Sequence, residues 1–128
     1  MRLSLKFLVV GISVLGPLML APAAVAEDND VERRGSCSDS SHWELDLERT
    51  PGGIEVDFEV DQNVVGDRWG VKLVHNGDVF FRDVRTTHGE DGSFDVERHT
   101  NDAAGIDRFV GKAVNKSTGE VCRGTAAI

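Results

Sequence analysis

The sequence contains no tyrosine, and aromatic residues make up only 6% of it. Recognition loops of the antibody kind depend on tyrosine and tryptophan, because these side chains give large and rigid contacts. The two tryptophans, Trp43 and Trp69, fall in phase with apolar positions that we expect to be buried. The composition therefore argues against a high-affinity binding site built from aromatic loop residues.

The sequence also lacks the common catalytic motifs. It has no Gly-x-Ser-x-Gly, no His-Glu-x-x-His and no phosphate-binding loop. A glycosidase with paired carboxylates would need a cleft with aromatic platforms, and a domain of this size has little cleft. We therefore predict that the protein is not an enzyme and uses no cofactor. The histidines are scattered over different segments, at His42, His75, His88 and His99.

Only two cysteines are present, Cys37 and Cys122. They lack Cys-x-x-Cys spacing, and no histidine lies beside either thiol, which disfavours a redox or metal pair. In an exported protein such a pair is most simply a disulfide. The bond would close a loop of 85 residues. Loop-closure entropy makes a bond of this kind worth roughly 4 kcal/mol.

The longest apolar run lies at the N-terminus. Arg2 and Lys6 flank the start of the run FLVVGISVLGPLML, and the segment 24–26, Ala-Val-Ala, has the small-x-small pattern of a signal peptidase site. Glycine and proline interrupt the run, and it is short for a membrane span. We expect residues 1–26 to be a signal peptide and the mature protein to be secreted, with an uncleaved anchor as the alternative.

Cleavage after Ala26 would leave 102 residues, which suffices for one domain. These residues include 12 basic and 22 acidic side chains, a net charge of −10. Such a charge repels nucleic acid and anionic lipid at long range and opposes self-association. We expect a monomer that binds neither nucleic acid nor, after cleavage, a membrane.

The mature chain shows period-2 alternation and no helical periodicity. Residues 27–36, EDNDVERRGS, are highly charged and are predicted to be a disordered leader. From Cys37 onward, seven short alternating segments are separated by turn residues at nearly even spacing. This pattern predicts an all-β fold, a seven-stranded antiparallel sandwich over residues 37–128 with one disulfide.

The dipeptide Asn76-Gly77 is the strongest hairpin signal in the chain. It predicts that the fourth segment pairs with the third. Two registers remain open at this stage. A two-residue turn pairs Leu73 with Phe80, whereas a three-residue turn with a bulge pairs Leu73 with Val79.

The sixth segment, NDAAGIDRFVGKAVNKSTGE, resembles the F–G region of immunoglobulin-like domains. The residues that fill the positions of that pattern are Asp102, Gly105, Phe109, Gly111, Ala113, Asn115 and Gly119. The resemblance places Trp69 at the core tryptophan of strand C and Phe58 at the usual strand-B cysteine. Both inter-sheet cysteines are replaced, by Phe58 and Gly111, and phenylalanine stands for the corner tyrosine. The resemblance thus implies a core of Phe58, Trp69, Phe109 and Gly111, in which the glycine makes room for the ring.

The same resemblance implies two sheets of order A-B-E and C′-C-F-G, the arrangement of fibronectin type III domains. The disulfide would then bridge an edge between the lead-in to strand A and strand G. The chain as a whole is also similar to small secreted actinobacterial proteins. A shared fold does not by itself give function.

The stretch IEVDFEVD, residues 54–61, alternates apolar and acidic side chains without a break. Alternation along a strand places the apolar side chains inside and the acids outside. Neighbouring segments also point acidic side chains outward, so one outer face is predicted to carry about nine carboxylates. The acids predicted to form a docking face are Glu44, Asp46, Glu48, Glu55, Asp57, Glu59, Asp95 and Glu97, with Asp61 at the end of the stretch.

The opposite sheet is expected to turn basic side chains outward, which makes the molecule electrically two-faced. These are Arg68, Lys72, Arg108, Lys112 and Arg123. We interpret the protein as a secreted, non-enzymatic binding or accessory module whose acidic face meets a basic extracellular protein or cell-wall component. The alternative for the acids is a solvated face that protects solubility and discourages edge pairing.

Two further functions remain open from the sequence. Loop-tip oxygens from Asp61, Asn63, Asp67, Glu90 and Asp91 could hold Ca²⁺. Val65 breaks the EF-hand spacing, however, and ordinary turn chemistry is the favoured explanation of these residues. A carrier or hydrolase inhibitor is the other alternative. A carrier needs an apolar pocket between the sheets, and an inhibitor needs one exposed rigid loop.

Overall fold

The computed structural model describes residues 16–17 and 29–128. Apart from residues 16–17, the predicted signal peptide lies outside the described residues. Among the described residues, no helix is long and apolar enough to cross a membrane. Residues 29–128 form eight strands: β1 Asp30–Ser36, β2 His42–Thr50, β3 Gly53–Asp61, β4 Arg68–His75, β5 Asp78–Thr86, β6 Ser93–Thr100, β7 Arg108–Asn115 and β8 Val121–Ala127.

The strands form two antiparallel sheets that pack face to face. The first sheet has the order β1-β2-β3-β6, and the second has the order β5-β4-β7-β8. The all-β class, the two-sheet sandwich and the predicted grouping of the last seven strands match this topology. Apolar side chains alternate inward along six of the strands, as the period-2 pattern predicted, whereas the edge strands β1 and β5 have no buried residue.

The prediction of seven strands was wrong, because the segment predicted as a disordered leader contains β1. All seven residues of β1 pair with β2, from Asp30 opposite Glu48 to Ser36 opposite His42. Val31 packs against the core, and the guanidinium of Arg34 forms an ion pair with Glu44. The strand sits at a sheet edge, where one apolar contact and a charged exterior suffice, so composition alone did not reveal it.

The interior is filled by large apolar side chains from both sheets. Trp69, Phe58 and Phe109 are the three largest fully buried side chains. A Cβ built on Gly111 of β7 would lie 2.6 Å from the Phe58 ring. The ring of Phe58 therefore occupies the space that any larger residue at position 111 would need.

The hairpin between β4 and β5 has a two-residue turn, one of the two alternatives left open by the sequence. Asn76 and Gly77 both have positive φ, at 48° and 88°, which fits a type I′ turn. Neither expected register is correct, however. A bulge in β5 shifts the pairing, so that Leu73 lies opposite Phe81 while Val74 lies opposite Val79.

The predicted disulfide joins Cys37 to Cys122, with 4.3 Å between the Cα atoms. It ties the turn between β1 and β2 to the buried side of β8. Disulfides are typical of proteins that fold in oxidising compartments.

Candidate functional site

The outer face of the first sheet carries a lattice of carboxylates, which we call the acidic face. Half of the 22 acids in the chain lie on it. They fall into rows that run across the strands, because directly opposed residues share a face. The members are Asp30, Glu32, Glu44, Asp46, Glu48, Glu55, Asp57, Glu59, Asp61, Asp95 and Glu97.

One row is acidic on all four strands. Glu32 lies opposite Asp46, Asp46 opposite Asp57, and Asp57 opposite Glu97. Directly opposed carboxylates on antiparallel strands bring like charges to about 5 Å, which destabilises the sheet. The structure thus places all eight acids predicted for the docking face on one surface, and β1 adds two that the sequence analysis missed.

Burial, together with crowding of like charges, raises the pKa of the central acids of the acidic face. Burial, followed by the charges of Glu44 and Glu32, raises the pKa of Asp46 to about 6. Burial also raises the pKa of Asp57 to about 6, and the charges of Asp95 and Glu97 contribute next. The Oδ1 atom of Asp46 is buried without a hydrogen-bond partner. The centre of the face is therefore a place where negative charge is electrostatically costly.

Few cations on the same sheet offset this charge. Arg34 forms ion pairs with Glu32 and, at 3.4 Å, with Glu44. The Nε2 atom of His99 lies 3.5 Å from a carboxylate oxygen of Glu55. Arg34 lies on β1 and His99 on β6, the two edge strands of the sheet. Within residues 29–128, neither Asp46 nor Asp57 takes part in an ion pair.

Two groups on this face bring three possible metal ligands within 4.8 Å of one another. One consists of Glu55, Glu97 and His99, and the other of Glu32, Glu44 and Asp46. Both lie on the sheet surface, away from the loop tips where the sequence analysis placed a calcium site. Exposed acids commonly gather without an ion, so these groups add to the charge of the face and do not define a separate centre.

The loop-tip residues predicted for calcium are engaged in turn chemistry. The Oδ2 atom of Asp67 accepts hydrogen bonds from Gln62 at 2.7 Å and Asn115 at 3.0 Å. These bonds lower the pKa of Asp67 below its ordinary value. The backbone N–H of Asn63 donates to Asp61 Oδ1 at 3.2 Å and to the carbonyl of Asp91 at 3.0 Å. Glu90 is exposed on the adjoining loop, and calcium binding there stays a prediction.

The outer face of the second sheet has the opposite charge. Arg82 lies opposite Lys72, Lys72 opposite Lys112, and Lys112 opposite Arg123. We call these four residues the basic row. The other predicted outward cations, Arg68 and Arg108, are exposed on strands of the same sheet. The two-faced charge distribution expected from the sequence is therefore present in the fold.

Two buried polar clusters were not found from the sequence. Glu120 is 6% exposed, and its carboxylate accepts hydrogen bonds from the Ser41 hydroxyl at 2.6 Å, the Ser41 N–H at 2.9 Å and the Asp39 N–H at 3.0 Å. This contact locks the turn after Cys37 against the start of β8. Nothing in the sequence around Glu120 indicates that it is buried, because its partner Ser41 lies 79 residues earlier in the chain.

The second cluster joins His75 to Asp107. The Nε2 atom of His75 lies 2.6 Å from Asp107 Oδ1, and Nδ1 lies 3.3 Å from the Thr100 hydroxyl. The imidazole also stacks on Phe109 with 4.4 Å between ring centroids. Asp107 is fully buried and His75 nearly so. Although the hydrogen-bond chain has catalytic residue types, its burial and ring stacking are typical of a structural clamp.

No family profile matches the chain, and the comparisons with curated proteins and with solved structures also found no match.

Proposed function

We propose that the protein is a secreted, non-enzymatic binding module with an immunoglobulin-like sandwich fold, and that its acidic face binds a cationic partner. The observation that carries the proposal is the row Glu32, Asp46, Asp57 and Glu97, in which all four strands present a carboxylate side by side. Opposed like charges cost folding free energy. A cationic partner would recover that cost on binding.

The electrostatics of the centre support this assignment. Asp46 and Asp57 have raised pKa values because burial and neighbouring carboxylates disfavour their charged forms. An approaching ammonium or guanidinium group favours the charged forms, so binding and ionisation reinforce each other. The expected partner is a basic extracellular protein or a cell-wall component with exposed amines.

The carrier alternative has less support. The rings of Phe58, Trp69 and Phe109 fill the space between the sheets, and Phe58 leaves no room at Gly111. A carrier would need an apolar cavity of a few hundred Å³ at this place. The packed interior therefore favours binding at a surface.

Binding of an oligolysine peptide tests the proposal. The mature chain is titrated by calorimetry beside the double variant Asp46→Lys/Asp57→Lys, which reverses charge at the centre of the face. We expect the double variant to bind at least about tenfold more weakly, since it places cations against cations. The matched control is Glu90→Lys/Asp91→Lys, which changes net charge equally on an exposed loop.

The control separates a docking face from a general charge effect. If the loop variant loses as much affinity as the face variant, net charge alone governs binding and the proposed docking face is wrong. If neither wild type nor loop variant binds oligolysine, the acidic face is a solvated surface.

A further inference from the structure

The outer face of the second sheet combines charge with apolar surface in a regular pattern. The basic row crosses all four strands, from Arg82 through Lys72 and Lys112 to Arg123. None of these four side chains makes an ion pair within residues 29–128. The rows on either side are mostly valine: Val79, Val74, Val110 and Thr125 on one side, and Val84, Gly70, Val114 and Val121 on the other.

This face is exposed along its edge strand. Val79 and Val84 are 43% and 37% exposed. Gly70 has no side chain and leaves a shallow groove beside the basic row. Lys72, Val84 and Val114 line part of this groove. A basic row with partly exposed apolar flanks suits an acidic partner of similar width.

We propose that the occupant of this face is the acidic face of a second copy of the chain, so that copies stack head to tail. The inference rests on the proposed function and names the cationic partner of the acidic face as the basic row of another molecule. Charge complementarity carries it: a row of four cations on one side of the sandwich matches a row of four carboxylates on the other.

The two rows match in spacing as well as in charge. Both cross four hydrogen-bonded strands, so in each row the side chains are separated by about 4.8 Å. Stacking the sheets with nearly aligned strands therefore brings each cation near one carboxylate. Stacked sheets ordinarily lie about 10 Å apart and nearly aligned, a distance that long lysine and arginine side chains readily span.

The available area makes the contact weak. Each face measures about 20 Å by 25 Å, so a stacked pair covers about 1,000 Å², at the low end of specific interfaces. The net charge of −10 adds long-range repulsion. The chain is therefore a monomer when dilute, as the sequence analysis expected, and stacks where its local concentration is high. Because the two faces differ, the contact is heterologous and does not close.

Mixing two face variants tests the proposal. The first, Lys72→Glu/Lys112→Glu, reverses the basic row and leaves the acidic face intact. The second, Asp46→Lys/Asp57→Lys, reverses the acidic face and leaves the basic row intact. Sedimentation velocity over a concentration series is run on each variant, on their equimolar mixture and on wild type. A matched control, Lys72→Arg/Lys112→Arg, retains the charge of the row.

Stacking predicts a specific set of outcomes. Wild type and the arginine control show a sedimentation coefficient that rises with concentration, whereas each reversed variant alone stays monomeric. The equimolar mixture regains association, because the intact faces of the two variants are complementary and their reversed faces are complementary as well. Net charge moves in opposite directions in the two variants, so a net-charge effect would make the second one associate more.

The result that overturns the inference is a wild type that stays monomeric over the whole series, or a mixture that forms no dimer. Circular dichroism confirms that each variant is folded, which is expected because the altered side chains point away from the core. If the chain binds oligolysine but does not self-associate, stacking is wrong and the proposed function stands. Loss of both would contradict the proposed function as well.

Discussion

Phe58 of β3 and Gly111 of β7 meet across the interior, and a Cβ added to the glycine would lie 2.6 Å from Cδ2 of the phenylalanine ring. The two residues belong to different sheets and together close the centre of the sandwich. The sequence analysis expected this pair in the core, with the glycine making room for the ring, and the two residues do meet there.

Gly111→Ala is expected to destabilise the fold by about 1–3 kcal/mol, because the buried ring of Phe58 cannot move away without disturbing its neighbours. The matched control is Gly70→Ala in β4, where the nearest atom to an added Cβ is 4.0 Å away. Urea denaturation of both variants measures the difference. Equal effects at the two positions would show that the interior accommodates the methyl group.

Crowding of acids predicts an unusual dependence of stability on pH. Asp46 and Asp57 have pKa values raised from 3.8 to about 6. The folded chain therefore binds more protons than the unfolded chain between these values, so the free energy of unfolding falls as pH rises through this window. Asp107 has the opposite effect on stability at lower pH. Although burial raises its pKa, hydrogen bonds with His75 and Ala103 lower the pKa overall. Its contribution is lost as pH falls through that lowered pKa.

The stability obtained from thermal melting should consequently be highest near pH 4, at the lower end of this window, and about 1–2 kcal/mol above the value at pH 7.5 after allowance for solvent screening. Asp57→Asn should stabilise the protein at pH 7.5 and flatten the profile, since it removes one of the crowded charges. Asp78→Asn, in the exposed β4–β5 hairpin, removes a charge away from the face and serves as control. Melting temperatures that rise steadily from pH 5 to pH 7.5 would contradict the account of the acidic face.

Removal of the disulfide should cost about 2–4 kcal/mol, because the bond between Cys37 and Cys122 restricts a long loop in the unfolded chain. The double variant Cys37→Ala/Cys122→Ala and the reduced wild type should both melt earlier, with a native circular dichroism spectrum at low temperature. If reduction leaves the melting curve unchanged, the bond contributes nothing to stability.

Glu120→Ala should destabilise the protein by about 1–3 kcal/mol, because it leaves the buried Ser41 hydroxyl and N–H without an acceptor. Glu90→Ala, on an exposed loop, is the control and should be near neutral. Chemical denaturation measures both. A neutral Glu120→Ala would mean that water readily replaces the carboxylate.

The sequence predicted what depends on alternation and on its single pair of cysteines. It missed the edge strand β1 and the buried polar contacts of Glu120 and His75. Period-2 patterning placed Glu55, Asp57 and Glu59 outside because one residue of slip would bury them all. The register of β5 was not predicted, because its apolar run, Val79 to Phe81, fits several registers equally well. The strand β1 was missed because it buries almost nothing of its own. The sequence grouped the acids of β2, β3 and β6 on one face. It did not show that Glu32 of β1 joins them.

Backbone amide shifts measured during an oligolysine titration test the central claim most directly. The account predicts that the perturbed amides cluster on β1, β2, β3 and β6, with the largest shifts around Asp46 and Asp57, and that the outer face of the second sheet is unaffected. Shifts centred on the loops that carry Asp61, Asn63 and Asp91, or spread evenly over both sheets, would contradict it.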